Sequence, residues 1–119
     1  MSKPLLDYYN EKVEFSRLPD CAEKVQLAIA RLENPYNISE EDRLMYQDYL
    51  GKDAAKAVPE IIDKNLVRMF PMLVKYRTIK KGNVAKFTEY AQQAKKMDIL
   101  SYLLNAGNDL RFHPKELDI

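Results

Sequence analysis

Along most of the chain, apolar residues recur at the three- and four-residue spacing of an amphipathic helix. Residues 20–35 show this pattern best, with an apolar stripe made of Val25, Ala28, Ile29 and Leu32. Asp20 followed by Glu23 has the spacing of a capping box, and Pro35 stops the run. The segment is therefore predicted to be a helix with a defined start and end.

Residues 36–51 show the same arrangement. Ser39 is the predicted N-cap, and the acidic residues 40–42 favour the positive end of the helix dipole. Gly51 suits the left-handed position that follows many helices. The predicted apolar face of this helix consists of Leu44, Met45, Tyr49 and Leu50.

Two apolar segments in the middle of the chain each contain a proline. Residues 53–65 hold Pro59, and residues 66–76 hold Pro71. A proline inside a helix removes a hydrogen bond and clashes with the preceding turn, so each one must open, bend or shorten its helix. Both segments are predicted to form short helices.

The last part of the chain predicts a helical hairpin. Asn83 is the predicted cap of a helix over residues 84–96, and a second helix begins near Met97 and ends at Gly107. At the other end of the chain, residues 4–18 predict a further helix with a loose end before Pro19.

Roughly six or seven short helices with short connections indicate an all-α array with mostly antiparallel neighbours. The chain has 119 residues, enough for one domain with a real core. Only three residues are glycine, fewer than a barrel or sandwich normally spends on turns, and the alternation typical of strands is lacking. No apolar run approaches the roughly 18 residues that span a bilayer.

The apolar pattern of residues 57–76 recurs thirty residues later, over residues 87–106. The matched pairs are Ile61 with Ala91, Met69 with Ile99, Phe70 with Leu100, Leu73 with Leu103, and Val74 with Leu104. A period of about this length with two helices in each unit is typical of solenoid repeats.

Residues 91–109, AQQAKKMDILSYLLNAGND, resemble the ankyrin repeat from the end of its first helix to the loop after its second. The matching positions are Ala91, Asp98-Ile99-Leu100, Leu103-Leu104 and Ala106-Gly107-Asn108-Asp109. Residues 63–76 resemble a more degenerate copy, so that the resemblance covers roughly residues 54–110. The chain departs from the family pattern because it lacks the opening Thr-Pro-Leu-His turn, has Lys95-Lys96 instead of Gly-His, and places Pro71 within a helix.

Residues 29–65 are similar to a helical segment that precedes degenerate ankyrin-like hairpins, which look like terminal modules, in proteins of Firmicutes. The two resemblances imply a bacterial protein whose residues 1–119 form one domain. They divide it into an N-terminal helical cap (1–52), a short ankyrin-like stack of antiparallel hairpins (53–110) and a tail (111–119). The alternative is a generic helical domain whose last hairpin happens to look ankyrin-like.

Charge is unevenly placed, although the net charge is only +1. Residues 1–60 carry 8 basic and 12 acidic side chains, whereas residues 61–119 carry 11 and 6. Within the basic half, residues 75–86 surround a Gly-Asn turn that the ankyrin resemblance places between two hairpins, where that family binds partners. The predicted partner-binding residues are Lys75, Tyr76, Arg77, Lys80, Lys81, Asn83 and Lys86. A solvated turn whose cations serve a helix C-terminus is the alternative.

The chain offers little for catalysis. His113 is the only histidine and Cys21 the only cysteine, so a zinc site lacks ligands and no internal disulfide can form. The acidic run of residues 40–42 is expected to serve the helix dipole rather than to form a catalytic pair. No enzymatic activity, metal or cofactor is predicted.

Eight tyrosines cannot all bury their hydroxyl groups without partners. Tyr46 and Tyr49, flanked by Asp42 and Asp48, form a candidate acidic and aromatic patch for a basic partner. Packing at the rim of the core is the favoured prediction for these two rings, and the patch is the alternative.

These features predict a non-enzymatic module that binds a protein partner through a basic loop between hairpins. The alternative function is a small inhibitor or regulator of a nucleic-acid-handling complex, of phage or mobile-element origin. The lone cysteine, together with the start of the chain, which does not resemble a signal peptide, favours the cytoplasm. A monomer or weak homodimer without membrane contact is expected.

Overall fold

A computed structural model describes residues 12–112 and, for residues 111 and 112, the backbone alone. All regular structure in this range is helical, so the prediction of an all-α fold is confirmed. The α-helices are α1 (12–17), α2 (Ala22–Glu33), α3 (Glu40–Lys52), α4 (Val58–Asp63), α5 (Phe70–Lys75), α6 (Val84–Gln93) and α7 (Met97–Phe112), and two 3-10 turns cover Ala54–Ala57 and Val67–Met69. Across the described residues, none of these helices combines the length and the apolar character needed to cross a bilayer.

The start of α2 differs from the prediction. Its N-cap is Cys21, whose side chain makes no capping bond, so the predicted capping box of Asp20 and Glu23 is wrong. The first helical amide, that of Ala22, instead donates to Oε1 of Glu60 at 2.6 Å. A carboxylate from α4 therefore satisfies a donor that the local sequence leaves open, and it does so at the positive end of the helix dipole.

The start of α3 follows the prediction and its end does not. Ser39 is the N-cap, and its hydroxyl oxygen accepts a hydrogen bond from the amide of Asp42 at 3.0 Å. Gly51 was expected just beyond the helix, but α3 continues through it to Lys52. Gly51 does not adopt a positive φ, so nothing in its backbone ends the helix there.

The buried face of α3 is rotated from the predicted one. Leu44, predicted to be apolar core, is 52% exposed, whereas Tyr46 is 1% exposed. Leu50 is buried as predicted.

The proposed acidic and aromatic patch on α3 is also wrong. Phe15 of α1 packs edge-on against Tyr46 and Tyr49, with ring centroids 4.9 and 5.3 Å apart, and all three rings are buried. Asp42 and Asp48 form ion pairs with lysine side chains instead. The two tyrosines belong to the core because α1 covers them.

The two prolines open helices. Pro59 lies in the first turn of α4 and Pro71 in the first turn of α5, where the missing amide would have had no helical partner. The segment over residues 66–76 is consequently divided into a 3-10 turn and the short helix α5. The predicted shortening at both prolines is confirmed.

α4 ends in a Schellman motif, the hydrogen-bonded turn that closes many helices. Asn65 has a φ of 56° and its amide donates to the carbonyl of Ile62 at 2.9 Å. The amide of Leu66 donates to the carbonyl of Ile61 at 3.1 Å. These two bonds satisfy carbonyls at the helix end and turn the chain toward α5.

The same motif recurs thirty residues later, at the end of α6. Lys95 has a φ of 60° and its amide donates to the carbonyl of Gln92 at 3.1 Å. The amide of Lys96 donates to the carbonyl of Ala91 at 3.0 Å. We refer to α4 with α5 as the first pair and to α6 with α7 as the second pair, because each is two helices joined through this turn.

The pairs pack side by side. α4 contacts α6 and α5 contacts α7, while α2 packs on α3 and on α4. Two matched pairs of the thirty-residue period are fully buried at both positions, namely Ile61 with Ala91 and Leu73 with Leu103. The second pair is longer than predicted, since α7 continues beyond Gly107 to Phe112, so the predicted end at Gly107 is wrong.

Candidate functional site

The basic loop, residues 76–83, joins the first pair to the second and contains most of the predicted site. Its centre is buried rather than solvated. The hydroxyl of Thr78 donates to the carbonyl of Leu50 at 2.7 Å, and Thr78 is fully buried. The next residue, Ile79, is 1% exposed, and its amide donates to the carbonyl of Leu73 at 2.9 Å. The loop is therefore anchored to both α3 and α5.

Asn83 closes this loop from within. It occupies the N-cap position of α6, as predicted, but its side chain makes no bond to α6. Its Oδ1 accepts from the amide of Lys80 at 2.8 Å, and its Nδ2 donates to the carbonyl of Thr78 at 3.0 Å. The predicted partner-binding residue Asn83 is thus a brace that fixes the loop conformation.

Lys75 and Tyr76 share one carboxylate oxygen. Nζ of Lys75 lies 2.7 Å from Oε2 of Glu33, and the hydroxyl of Tyr76 donates to the same atom. These bonds hold the pKa of Glu33 below its usual value and raise the pKa of Lys75. The pKa of Tyr76 is raised, first by burial and then by Glu33. The contact joins the end of α2 to the end of α5.

Two further cations stand beside this contact. Lys80 donates through Nζ to the carbonyl of Gly51 at 3.0 Å. Arg77 follows α5 in the left-handed conformation, with a φ of 66°. The basic pocket, a concavity of about 290 Å³, is lined by Gln47, Gly51, Lys75, Tyr76, Arg77 and Lys80.

The pocket brings together four of the seven predicted site residues and leaves out the others. Lys81 is exposed and lines a separate groove between α6 and α7. Lys86 is exposed on α6, with Nζ 5.1 Å from the ring centre of Phe87. Three of the five predicted cations therefore line the pocket, and the other two lie outside it.

The prediction from sequence did not include three residues that belong to the site. Glu33 ends α2, whereas Gln47 and Gly51 come from α3. Glu33 meets Lys75 across 42 positions of sequence, and no local pattern marks such a contact. Only the packing of α2 and α3 beside α5 brings these groups to the basic loop.

The chemistry of the pocket is that of charge and hydrogen bonding. Within residues 12–112, no group of three or more His, Cys, Asp or Glu side chains is placed to hold a metal ion. The acidic run that begins α3 is committed to structural contacts: Glu40 bonds with Arg43, and Asp42 pairs with Lys12 at 2.8 Å. His113 lies outside the described residues.

When the chain was compared with models of protein families, with curated proteins and with solved structures, none of the three comparisons gave a match.

Proposed function

We propose that this protein is a non-enzymatic interaction module that binds a protein partner through the basic pocket and the surrounding helix faces. The observation that carries the proposal is the fixed conformation of the basic loop. The side chains of Thr78 and Asn83 hold the loop through three hydrogen bonds, while Arg77 and Lys80 line the basic pocket. A loop that is already ordered loses little conformational entropy when it binds, so more of its contact energy appears as affinity.

The composition of the pocket favours a protein as the partner. A tyrosine and an arginine, both frequent anchors of protein interfaces, stand next to an amide side chain, Gln47. Cations that would be needed to follow a phosphate backbone are instead divided between the pocket and positions outside it, and some are bonded within the chain.

The repeated turn supports the ankyrin-like part of this proposal. The two Schellman motifs and the two buried pairs of apolar residues recur at the same thirty-residue interval. In an ankyrin-like stack, the loop between hairpins contributes to the binding surface, which is the position of the basic loop here.

The test is to pan a random peptide library against the wild-type chain and measure binding of the recovered peptides to two double variants. R77E/K80E reverses two charges in the pocket. R68E/K95E is the matched control, because it makes the same pair of changes at two exposed positions that neither line the pocket nor belong to the predicted site. We expect at least roughly tenfold weaker binding to the first variant and little change with the second.

Equal loss in both variants would show that net charge alone attracts the peptides, and the proposal would be wrong. The alternative function, regulation of a nucleic-acid-handling complex, makes a different prediction. A gel shift of mixed DNA and RNA would then weaken steeply between 50 and 200 mM salt, because bound phosphates release counterions. Thermal melts of each variant verify that the chain is folded.

A further inference from the structure

A carboxylate of the chain itself bonds to two residues that line the basic pocket. Glu33 presents a single oxygen to both Lys75 and Tyr76, and this carboxylate is the final residue of α2. A negative charge at the C-terminus of a helix is disfavoured by the helix dipole. Helix stability therefore does not account for Glu33 at this position. Its bonds to Lys75 and Tyr76 do.

This internal contact is easy to release. The side chains of Lys75 and Glu33 are 53% and 39% exposed, and ion pairs with this much exposure contribute little stability. Displacing Glu33 uncovers no buried charge, because the side chain of Lys75 already reaches water. A second carboxylate of suitable position can replace it at low cost.

The lining of the pocket carries positive charge and no negative charge. Three of its six lining residues are the cations Lys75, Arg77 and Lys80, and none of the six is acidic. Its volume of about 290 Å³ is at the small end for a ligand site and suits one or two side chains rather than a nucleotide.

We infer that the basic pocket recognises a carboxylate side chain of an acidic peptide segment, and that Glu33 is an internal competitor which this carboxylate displaces from Lys75 and Tyr76. This inference rests on the proposed function and specifies its partner as a segment rich in Glu or Asp. Glu33 consequently weakens binding, and a partner must offer more than one acidic side chain to overcome it.

The test measures fluorescence anisotropy of a labelled hexaglutamate peptide with the wild type and with Glu33→Gln, at constant salt. Asp63→Asn is the matched control. Its carboxylate also accepts a hydrogen bond from a tyrosine, Tyr90, at 2.9 Å on an exposed surface, and the change in net charge is the same. Tyr90 does not line the pocket, however, whereas both partners of Glu33 do.

We expect hexaglutamate to bind Glu33→Gln about two- to fivefold more tightly than the wild type, the fold-change expected for the loss of a competing surface ion pair. Asp63→Asn should leave the affinity unchanged. Adding R77E/K80E to Glu33→Gln should abolish the gain.

Equal tightening by Asp63→Asn would overturn the inference, because net charge would explain it. No tightening by Glu33→Gln would also overturn it. If hexaglutamate binds none of these proteins while library peptides still require Arg77 and Lys80, the inference fails and the proposed function stands. Tighter binding of a phosphoserine peptide than of hexaglutamate would reject the carboxylate as the preferred group.

Discussion

The two helical pairs share a turn but differ in what covers them. Val58 and Ile62 on α4 are fully buried. Thirty residues later, α6 places Thr88 and Gln92, of which Thr88 is partly exposed and Gln92 exposed. The first pair lies between α2 and the second pair, whereas the positions on α6 line an open groove beside α7. At these equivalent positions the residues are therefore apolar where they are buried and polar where they are exposed.

This difference shows that the backbone period and the side-chain pattern are set separately. The turn at Asn65 and Lys95 is maintained in both pairs even though the two residue types differ. At the two positions compared on α4 and α6, the apolar residues occur only in the pair that its neighbours cover. A polar outer face is what a terminal unit of a helical stack needs to remain soluble.

Each pair is also bonded to an earlier helix from the same position of the period. Glu60 of α4 accepts from the amide of Ala22 in α2, and Tyr90 of α6 donates to Asp63 of α4. Glu60 and Tyr90 are thirty residues apart, so the period includes a polar link to an earlier helix as well as apolar packing.

The largest effect is expected where the two pairs differ in burial. Ile62→Gln should lower the free energy of unfolding by about 3–5 kcal/mol, because it leaves an amide group in the core and removes apolar contacts. Gln92→Ile, the reverse change at the matched position, should alter it by less than about 0.5 kcal/mol. Urea unfolding followed by circular dichroism measures both, and equal costs would contradict the comparison.

A smaller effect is expected in the basic loop that joins the pairs. Thr78→Val removes the buried hydrogen bond to the carbonyl of Leu50 and should cost about 1–2 kcal/mol in urea unfolding. Thr88→Val is the control, because its hydroxyl bonds only to Val84 within α6 and is less buried. If Thr88→Val costs as much, the anchoring of the loop is not specific.

Substituting glycine at each of the two Schellman turns tests the two turns separately. Lys95→Gly should stabilise the chain by about 1 kcal/mol, because lysine is strained at a positive φ. Asn65→Gly should gain less than about 0.5 kcal/mol, since asparagine tolerates this conformation. A larger gain at Asn65 in thermal or urea unfolding would show that the two turns are not equivalent.

The smallest effect concerns pH and distinguishes the two polar links. The amide of Ala22, and then Lys64, lower the pKa of Glu60 below its ordinary value of 4.5. A carboxylate with a lowered folded-state pKa stabilises the protein above pH 4.5 and loses this contribution as pH falls through the folded pKa. Glu60→Gln should therefore make the melting temperature fall less steeply between pH 5 and 3.

Tyr90→Phe provides the contrast for this pH profile. It removes the second link without changing the charge of Glu60, so its melting temperature should follow the acid dependence of the wild type with a small constant offset. Parallel profiles for Glu60→Gln and the wild type would show that the Ala22 contact does not drive the acid sensitivity.

The helices were predictable because their signals are local. Ser39 and Pro59 act within one turn, and the buried pair of Leu73 and Leu103 follows from periodicity. The ends were not predictable from glycine alone. The left-handed positions fall on residues such as Lys95, while Gly51 continues a helix, because packing decides where the chain turns.

The candidate site was predictable only in part, for the same reason. The sequence places the cations of residues 75–80 together, but Glu33 and Gln47 come from helices that precede them by many residues. Tyr46 shows the opposite error, a residue wrongly considered for a surface patch. Its acidic neighbours suggested a surface position, whereas Phe15 covers its ring. Contacts between distant segments change both the membership and the exposure of a site.

The bond between Glu60 and the first amide of α2 makes that amide a natural reporter. In most helices the first amides face water and exchange their hydrogens quickly. The amide of Ala22 is protected only while α4 lies against α2, so its deuterium exchange rate counts how often these two helices separate. The exchange rate of this one amide thus measures how stably α2 and α4 stay packed together, without any added label.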